Sequence, residues 1–346
     1  MMSQRPDMKA LIANRRREVT LSPEQLVMTE SLPGGGPLPL VVRPAVKDVN
    51  LADWAAVNRE FIASQLLAHG ACLFRGFNLR SVTEFERLIK AVSGRLLEYT
   101  YRSTPRSPVS GNIYTSTEYP AEHSIPLHNE MSYARDWPLK IWFFCRKTAA
   151  TGGETPIADS GKVFNRIAPE IREQFAAKGV MYVRNYGRGV DLPWQQVFNT
   201  ESRQAVEDFC RSAGIEFEWS GGDRLRTRQR CQGVAAHPLT GRSVWFNQAH
   251  LFHVSSLERG VRDSLLKEFG EENLPRNAFY GDGSPIEPSA LEQVRQAYHL
   301  EEIIFPWQEQ DILLLDNMRV AHGRTPYAGP RSVVVGMAEP SAGRDA

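Results

Sequence analysis

Apolar and polar positions divide the chain into a helical opening and a strand-rich remainder. Over residues 52–70 the apolar Trp54, Val57, Phe61, Leu66 and Leu67 recur at helical spacing, and Gly70 stands where a C-cap would close the helix. Ala71-Cys72-Leu73-Phe74-Arg75-Gly76-Phe77 reads as a buried strand, and Ser81-Val82-Thr83-Glu84 as a capping box opening a helix to about Ser93. Farther on, short apolar runs predict strands at 141–144, 181–185, 243–247, 302–306, 311–315 and 331–337. Helices are expected at 168–178, 202–213, 255–269 and 288–299, the last two opening with Ser255/Glu258 and Ser289/Glu292. Many strands separated by Gly/Pro turns and decorated with helices predict an α+β, mainly β fold of the sandwich or jelly-roll kind, not a doubly wound sheet. Residues 1–45 read as an irregular N-terminal arm, with a short helix start at Ser22-Pro23-Glu24-Gln25 and an exposed loop over Leu32–Pro37; residues 46–340 read as a single domain. The loop glycines lack the lysine and G-x-G-x-x-G contexts of a phosphate cradle.

Composition narrows the function classes. The chain has 346 residues, 41 basic and 40 acidic, so a formal charge of +1 does not describe a nucleic-acid-coating surface. No apolar run approaches the length of a membrane span, and the basic N-terminus lacks the apolar core of a secretory signal. Cys72, Cys145, Cys210 and Cys231 are far apart and form no C-x-x-C pair, which favours reduced thiols and a cytoplasmic location over a disulfide scaffold or zinc site. A soluble enzyme is the expectation.

The chemistry gathers around Ile125-Pro126-Leu127-His128-Asn129-Glu130. Two residues apart on a strand, His128 and Glu130 would point the same way. Far downstream, His322 follows Asp316-Asn317-Met318-Arg319-Val320-Ala321. Two imidazoles and one carboxylate on one face of an octahedral ion make the facial triad of non-haem Fe(II) oxygenases. Alone, H-x-E is a weak signal, and Gly152-Gly153-Glu154-Thr155 could be merely a turn into a strand. Arg331, at the start of the last strand, is either a surface cation or a guanidinium fork for a carboxylate.

Taken together these pieces resemble the TauD/TfdA family of Fe(II)- and 2-oxoglutarate-dependent dioxygenases, with a closer likeness to its SyrP-like hydroxylase branch of non-ribosomal peptide pathways. The matching stretches run from about residue 70 to 338 and include Phe74-Arg75-Gly76-Phe77, Thr117-Glu118-Tyr119-Pro120, Leu127-His128-Asn129-Glu130, Gly152-Gly153-Glu154-Thr155-Pro156, Trp245-Phe246-Asn247-Gln248, Phe279-Tyr280-Gly281-Asp282-Gly283 and Asp316-Asn317-Met318. The resemblance implies a double-stranded β-helix, with His128, Glu130 and His322 as iron ligands and Thr155 and Arg331 on the distal carboxylate of 2-oxoglutarate. It implies Fe(II), 2-oxoglutarate and O2 as cofactor and cosubstrates. One departure concerns spacing. The family's arginine usually lies ten or more residues past the second histidine, whereas Arg331 lies nine past His322 and is followed by Ser332, where a second basic residue often stands. Arg324 is therefore the alternative. Related halogenases carry a small residue at the carboxylate position, so Glu130 points to hydroxylation.

Asn129, Asn247 and Arg228 are candidate substrate contacts. Arg228 belongs to the basic run Arg224–Arg230, which lacks the aromatic interleaving of a nucleic-acid patch; its functional reading is contact with a substrate carboxylate or a carrier-protein phosphate. His250 and His253 read as structural or substrate-side hydrogen-bonding groups, and His69, His123, His237 and His299 as solvent-facing or core residues without partners at ligand spacing. The expected activity is hydroxylation of an unactivated C–H bond in a small amino-acid-like substrate, free or tethered to a peptidyl carrier protein. Two alternatives remain: desaturation or cyclisation of a small carboxylate with the same cofactors, or a non-catalytic jelly-roll metal sensor.

Overall fold

A computed structural model describes residues 26–341 apart from residues 35, 100, 102, 188 and 190. The expected helix start at Ser22 lies outside the described residues.

The longest apolar runs build the middle of an eight-stranded sheet. Its order is Val27–Ser31, Leu40–Pro44, Ala71–Phe74, Ile312–Asp316, Pro138–Lys147, Ser332–Pro340, Ile113–Thr115 and Pro108–Ser110. All neighbours are antiparallel except Leu40–Pro44 beside Ala71–Phe74. Side chains alternate between faces along a strand, and here both faces are covered. Ile312, Leu314, Trp142, Phe144 and Val334 share one core with the helices Leu51–Val57, Arg59–His69 and Val82–Ser93. Leu313, Leu315, Ile141, Phe143, Val333 and Val335 share another core with Ile157 and Val320 from a second, three-stranded sheet. Burial on both faces explains why these strands read as continuous apolar runs and not as alternating ones. The second sheet has the order Ile125–His128, Val320–Arg324, Ile157–Asp159. The two sheets form the expected double-stranded β-helix. A four-stranded sheet, Glu216–Ser220, Arg224–Cys231, Val180–Tyr186 and Arg276–Tyr280, packs with its helices as a separate layer.

Local signals hold where nothing competes with them. Gly70 closes its helix at φ 79°, and the Ser81 capping box is complete, with Glu84 bonded back to the Ser81 amide. The expected helix over 52–70 is broken at Asn58 into two. The other two Ser-x-x-Glu boxes do not form. The helix Pro288–Glu301 begins at the expected residue, but Pro288 takes the first helical position and Glu287 the N-cap, so Ser289 lies inside it, and a 3-10 turn at Val254–Ser256 precedes the helix Arg259–Phe269. Residues 302–306 are not a strand; Ile303 makes one isolated bridge to Ile157. The expected irregular arm is corrected over its described part: Val27–Ser31 and Leu40–Pro44 are paired strands. The reason is Leu40-Val41-Val42, whose side chains are buried in both cores of the large sheet. Cys72, Cys145, Cys210 and Cys231 are free and buried. Among the described residues no helix is long and apolar enough to cross a membrane.

Candidate metal and cosubstrate site

The three-stranded sheet assembles the site. His322 lies on its central strand and is the cross-strand partner of His128 on one side and of Ile157 on the other. Directly opposed residues of an antiparallel pair project to the same face, so the two imidazoles meet with ring centroids 4.6 Å apart. Both rings are kept neutral, the form that ligates metal. Burial lowers the His128 pKa, and burial together with His128 and Arg106 lowers that of His322 well below its ordinary value. His128 Nδ1 donates to the Pro126 carbonyl at 2.8 Å, which fixes the tautomer and leaves Nε2 as the donor atom.

Glu130 reaches the same point by another route than expected. The strand ends at His128, and Glu130 begins a turn in which Met131 takes φ 56°. The side chain of Asn317 replaces the missing strand neighbour. Its Oδ1 accepts from the Glu130 amide at 2.7 Å, and its Nδ2 donates to the Glu130 carbonyl at 2.9 Å and to the Pro138 carbonyl at 2.8 Å. Further buried side chains hold the neighbouring backbone: His250 Nε2 donates to the Leu127 carbonyl at 3.0 Å and Gln248 Nε2 to the Asn129 carbonyl at 2.8 Å. The outcome is a cluster of one carboxylate oxygen and two imidazole nitrogens lying within 4.8 Å of one another, with His322 Nε2 3.7 Å from Glu130 Oε2. This nitrogen and oxygen donor set, buried and converging, fits an Fe(II) ion.

Asn317 gives a direct expectation. Asn317→Ala removes three hydrogen bonds, two of them to the Glu130 backbone, and metal affinity should fall about tenfold to hundredfold, as for other groups supporting metal ligands. Titration of the variant with Fe(II) or Mn(II) under anaerobic conditions checks this; unchanged affinity would show that the turn is held without the amide.

The cavity beside the cluster is lined by His128, His322, Phe143, Thr155, Arg324 and Arg331, among others. Thr155 is buried just before the strand Ile157–Asp159, and its hydroxyl accepts from Trp307 Nε1 at 3.1 Å. Arg331 places Nε on the Gly153 carbonyl at 2.8 Å and Nη1 near the Ser116 hydroxyl at 3.3 Å. Burial pushes its pKa down to about 10, so it stays cationic at neutral pH. The glycine pair of the sequence motif makes this approach feasible. A Cβ on Gly153 (φ 77°) would sit 2.9 Å from Arg331 Cδ, and one on Gly152 (φ 66°) would sit 2.1 Å from the Pro326 oxygen. Arg324, the alternative at the sequence level, is otherwise engaged: it donates to the carbonyls of Tyr119, Pro120 and His123 at 2.7–3.0 Å.

The three candidate substrate contacts are not among the residues that line this cavity. Asn129 is fully buried and donates to Ser160 and to the Asn317 carbonyl. Asn247 donates to the Gly233 carbonyl and accepts from the Ala249 amide. Arg228 lies on the solvent side of its strand, cross-strand from Glu216, while Leu225, Thr227 and Gln229 face inward. The polar atoms of Asn129 and Asn247 are thus engaged within the protein, and Arg228 points away from the cavity. His250 and His253 are structural, both pushed down by burial, to about 3 and about 4. His237, read as solvent-facing or core, is buried and lies 2.9 Å from Asp316. Arg106 was missed: its Nη2 donates to Glu130 Oε2 at 2.6 Å with both side chains almost fully buried. Nothing in the polar segment Ser103–Ser107 distinguishes such a residue from a loop cation.

Comparison with known proteins identifies the family and the fold. Residues 34–337 match the family described as taurine catabolism dioxygenase TauD, TfdA family. The dapdiamide synthesis protein DdaC of Enterobacter agglomerans is 39% identical over 309 residues, covering 89% of this chain and 93% of the relative. A clavaminate synthase-like protein of Arabidopsis thaliana is 30% identical over 290 residues, covering 81% and 84%. Among solved structures, PvcB of Pseudomonas aeruginosa superimposes with a TM-score of 0.54 at 14% identity over 92% of this chain and 93% of its own, a likeness of fold.

Proposed function

The chain belongs to the TauD/TfdA family and is an Fe(II)- and 2-oxoglutarate-dependent oxygenase; on that premise we propose that it hydroxylates an unactivated C–H bond of an amino acid, free or carrier-bound, in secondary metabolism. In this reading His128, Glu130 and His322 hold the iron, and Thr155 and Arg331 hold the distal carboxylate of 2-oxoglutarate. The observation that carries it is the convergence of the His-Glu-His cluster with Thr155 and Arg331 around one cavity. DdaC, a dapdiamide synthesis protein, supports a biosynthetic setting.

When bound, the iron supplies oxidation of 2-oxoglutarate by O2 to succinate and CO2, with the second oxygen atom delivered to carbon. The overall balance is C–H + 2-oxoglutarate + O2 → C–OH + succinate + CO2. The protein's residues orient and enclose. Pro126 fixes the His128 tautomer, Asn317 fixes the Glu130 backbone, and the Arg331 fork with Thr155 orders the cosubstrate. Phe143, with its ring 5.1 Å from His322, and Val333 keep one wall of the cavity apolar. Glu130 supplies a third protein donor, which favours oxygen insertion over halide transfer.

The test is anaerobic addition of Fe(II) and 2-oxoglutarate, then O2 with free and carrier-bound amino acids. A weak visible charge-transfer band, succinate and a product heavier by one oxygen are expected. No band and no succinate would point to the sensor reading, and a product lighter by two hydrogens to desaturation.

A further inference from the structure

Arg106 is a lining residue of two cavities. The residue borders the metal cavity described above and a polar cleft of about 520 Å³ whose walls include Ser107, Glu118, Gln195, Asn199 and Glu201. That volume suits a small-molecule ligand. The Arg106 side chain is 3% exposed, with its carbon Cζ 4.8 Å from the centre of the Tyr99 ring. Nη2 is on Glu130, while Nε and Nη1 are buried with no hydrogen-bond partner among the described residues. Buried donors without acceptors are unfavourable, and a guanidinium is matched best by a carboxylate.

The charges around the metal cavity point the same way. Arg106, Arg324 and Arg331 border it, and Glu130 is the carboxylate of the donor cluster. Arg331 is assigned above to the cosubstrate, and Arg324 is bonded to three carbonyls. Fe(II) and 2-oxoglutarate carry opposite and equal charges, so their binding leaves the cationic excess in place. Arg106 is the member of this group with donors left to offer, one guanidinium's width from a metal ligand.

We propose that Arg106 anchors a carboxylate of the substrate, so that the oxidised C–H bond lies within a few bonds of an anionic group. The proposal rests on the hydroxylase reading and names the substrate class for it. Glu118 and Glu201, in the cleft wall, complement the ammonium group that an amino acid would carry. The carboxylate has two sources: the α-carboxylate of a free amino acid, or the side chain of an acidic aminoacyl group whose α-carboxyl is held as a carrier thioester.

The experiment reads binding first and chemistry second. Anaerobic enzyme loaded with Fe(II) and 2-oxoglutarate is titrated with free L-amino acids and their α-amides, and separately with aspartyl- and glutamyl-pantetheine against asparaginyl- and glutaminyl-pantetheine. Perturbation of the charge-transfer band reports binding. In one arm the carboxylate should bind at least about thirtyfold tighter than its amide, the lower end for a charge-assisted contact in a desolvated site. In Arg106→Gln that ratio should collapse to about threefold or less, and Arg106→Lys, which keeps the charge but loses the fork, should fall between. Because acid and amide meet the same metal centre, a residue that merely braced Glu130 would weaken both and leave the ratio unchanged. An unchanged ratio, equal binding in the parent enzyme, or no carboxylate bound in either arm each overturns the proposal. Admitting O2 then separates the two readings: carboxylate selectivity that depends on Arg106, without a product heavier by one oxygen, sustains the anchor and removes hydroxylation.

Discussion

Replacing His322 with alanine should abolish succinate formation and still yield a folded protein. The imidazole is one of three donors, and loss of a direct ligand should cost more than the tenfold to hundredfold typical of losing a group that only supports one. Little else depends on the side chain. The strand around it is held by backbone pairing to Ile125–His128 and Ile157–Asp159, which alanine preserves. Since the ring is held neutral by burial, its removal breaks no buried ion pair. What is lost is packing against Phe143 and His128, worth about 1–2 kcal/mol, within the usual range for a single substitution. Thermal melting should therefore shift by a few degrees while turnover falls to background, and His128→Ala should behave alike. Succinate formation at the parent rate in either variant would remove the metal assignment.

Arg331→Ala should raise the 2-oxoglutarate requirement about thirtyfold to several thousandfold and leave Fe(II) affinity nearly unchanged. Truncating one partner of a desolvated, charge-assisted pair costs on the order of 2–5 kcal/mol, which sets that range. The contrast with Arg324 sharpens the test. Arg324 holds the carbonyls of Tyr119, Pro120 and His123 in the segment that leads into Ile125–His128. Arg324→Ala leaves those acceptors with a less favourable environment, at about 1–3 kcal/mol for each one left unsatisfied, so its principal effect should be on stability. Steady-state kinetics in 2-oxoglutarate beside thermal melts would separate them. If Arg324→Ala raised the cosubstrate requirement and Arg331→Ala did not, the two roles would be exchanged.

How much of this was legible beforehand follows from the range of the forces involved. Strands such as Ile312–Asp316 and Pro138–Lys147 declare themselves because apolar burial acts on every residue of the run. Gly70 and the Ser81 box declare themselves because caps are satisfied within one turn. The nearness of His128 and Glu130 is local in the same sense, whereas the glycine pair before Thr155 read only as a turn, and the fold showed its close approach to Arg331 and Pro326.

Pairing across the chain was decided only by the fold. The register that sets His322 opposite His128 depends on which strands become neighbours, and two-residue spacing alone did not put Glu130 in place, since its strand ends at His128. Asn317 and Arg106 reach Glu130 from distant segments. Arg324 and Arg331 are the same residue type on the same side of His322, and only their hydrogen-bond partners distinguish them. Asn129 and Asn247 looked available because a sequence shows which polar groups exist but not which are already satisfied, and the face on which Arg228 lies was set by strand pairing. Composition and periodicity act residue by residue and were enough for the architecture and the kind of chemistry. Satisfying buried polar groups is a property of the whole packed chain, and it selected the residues that shape the site.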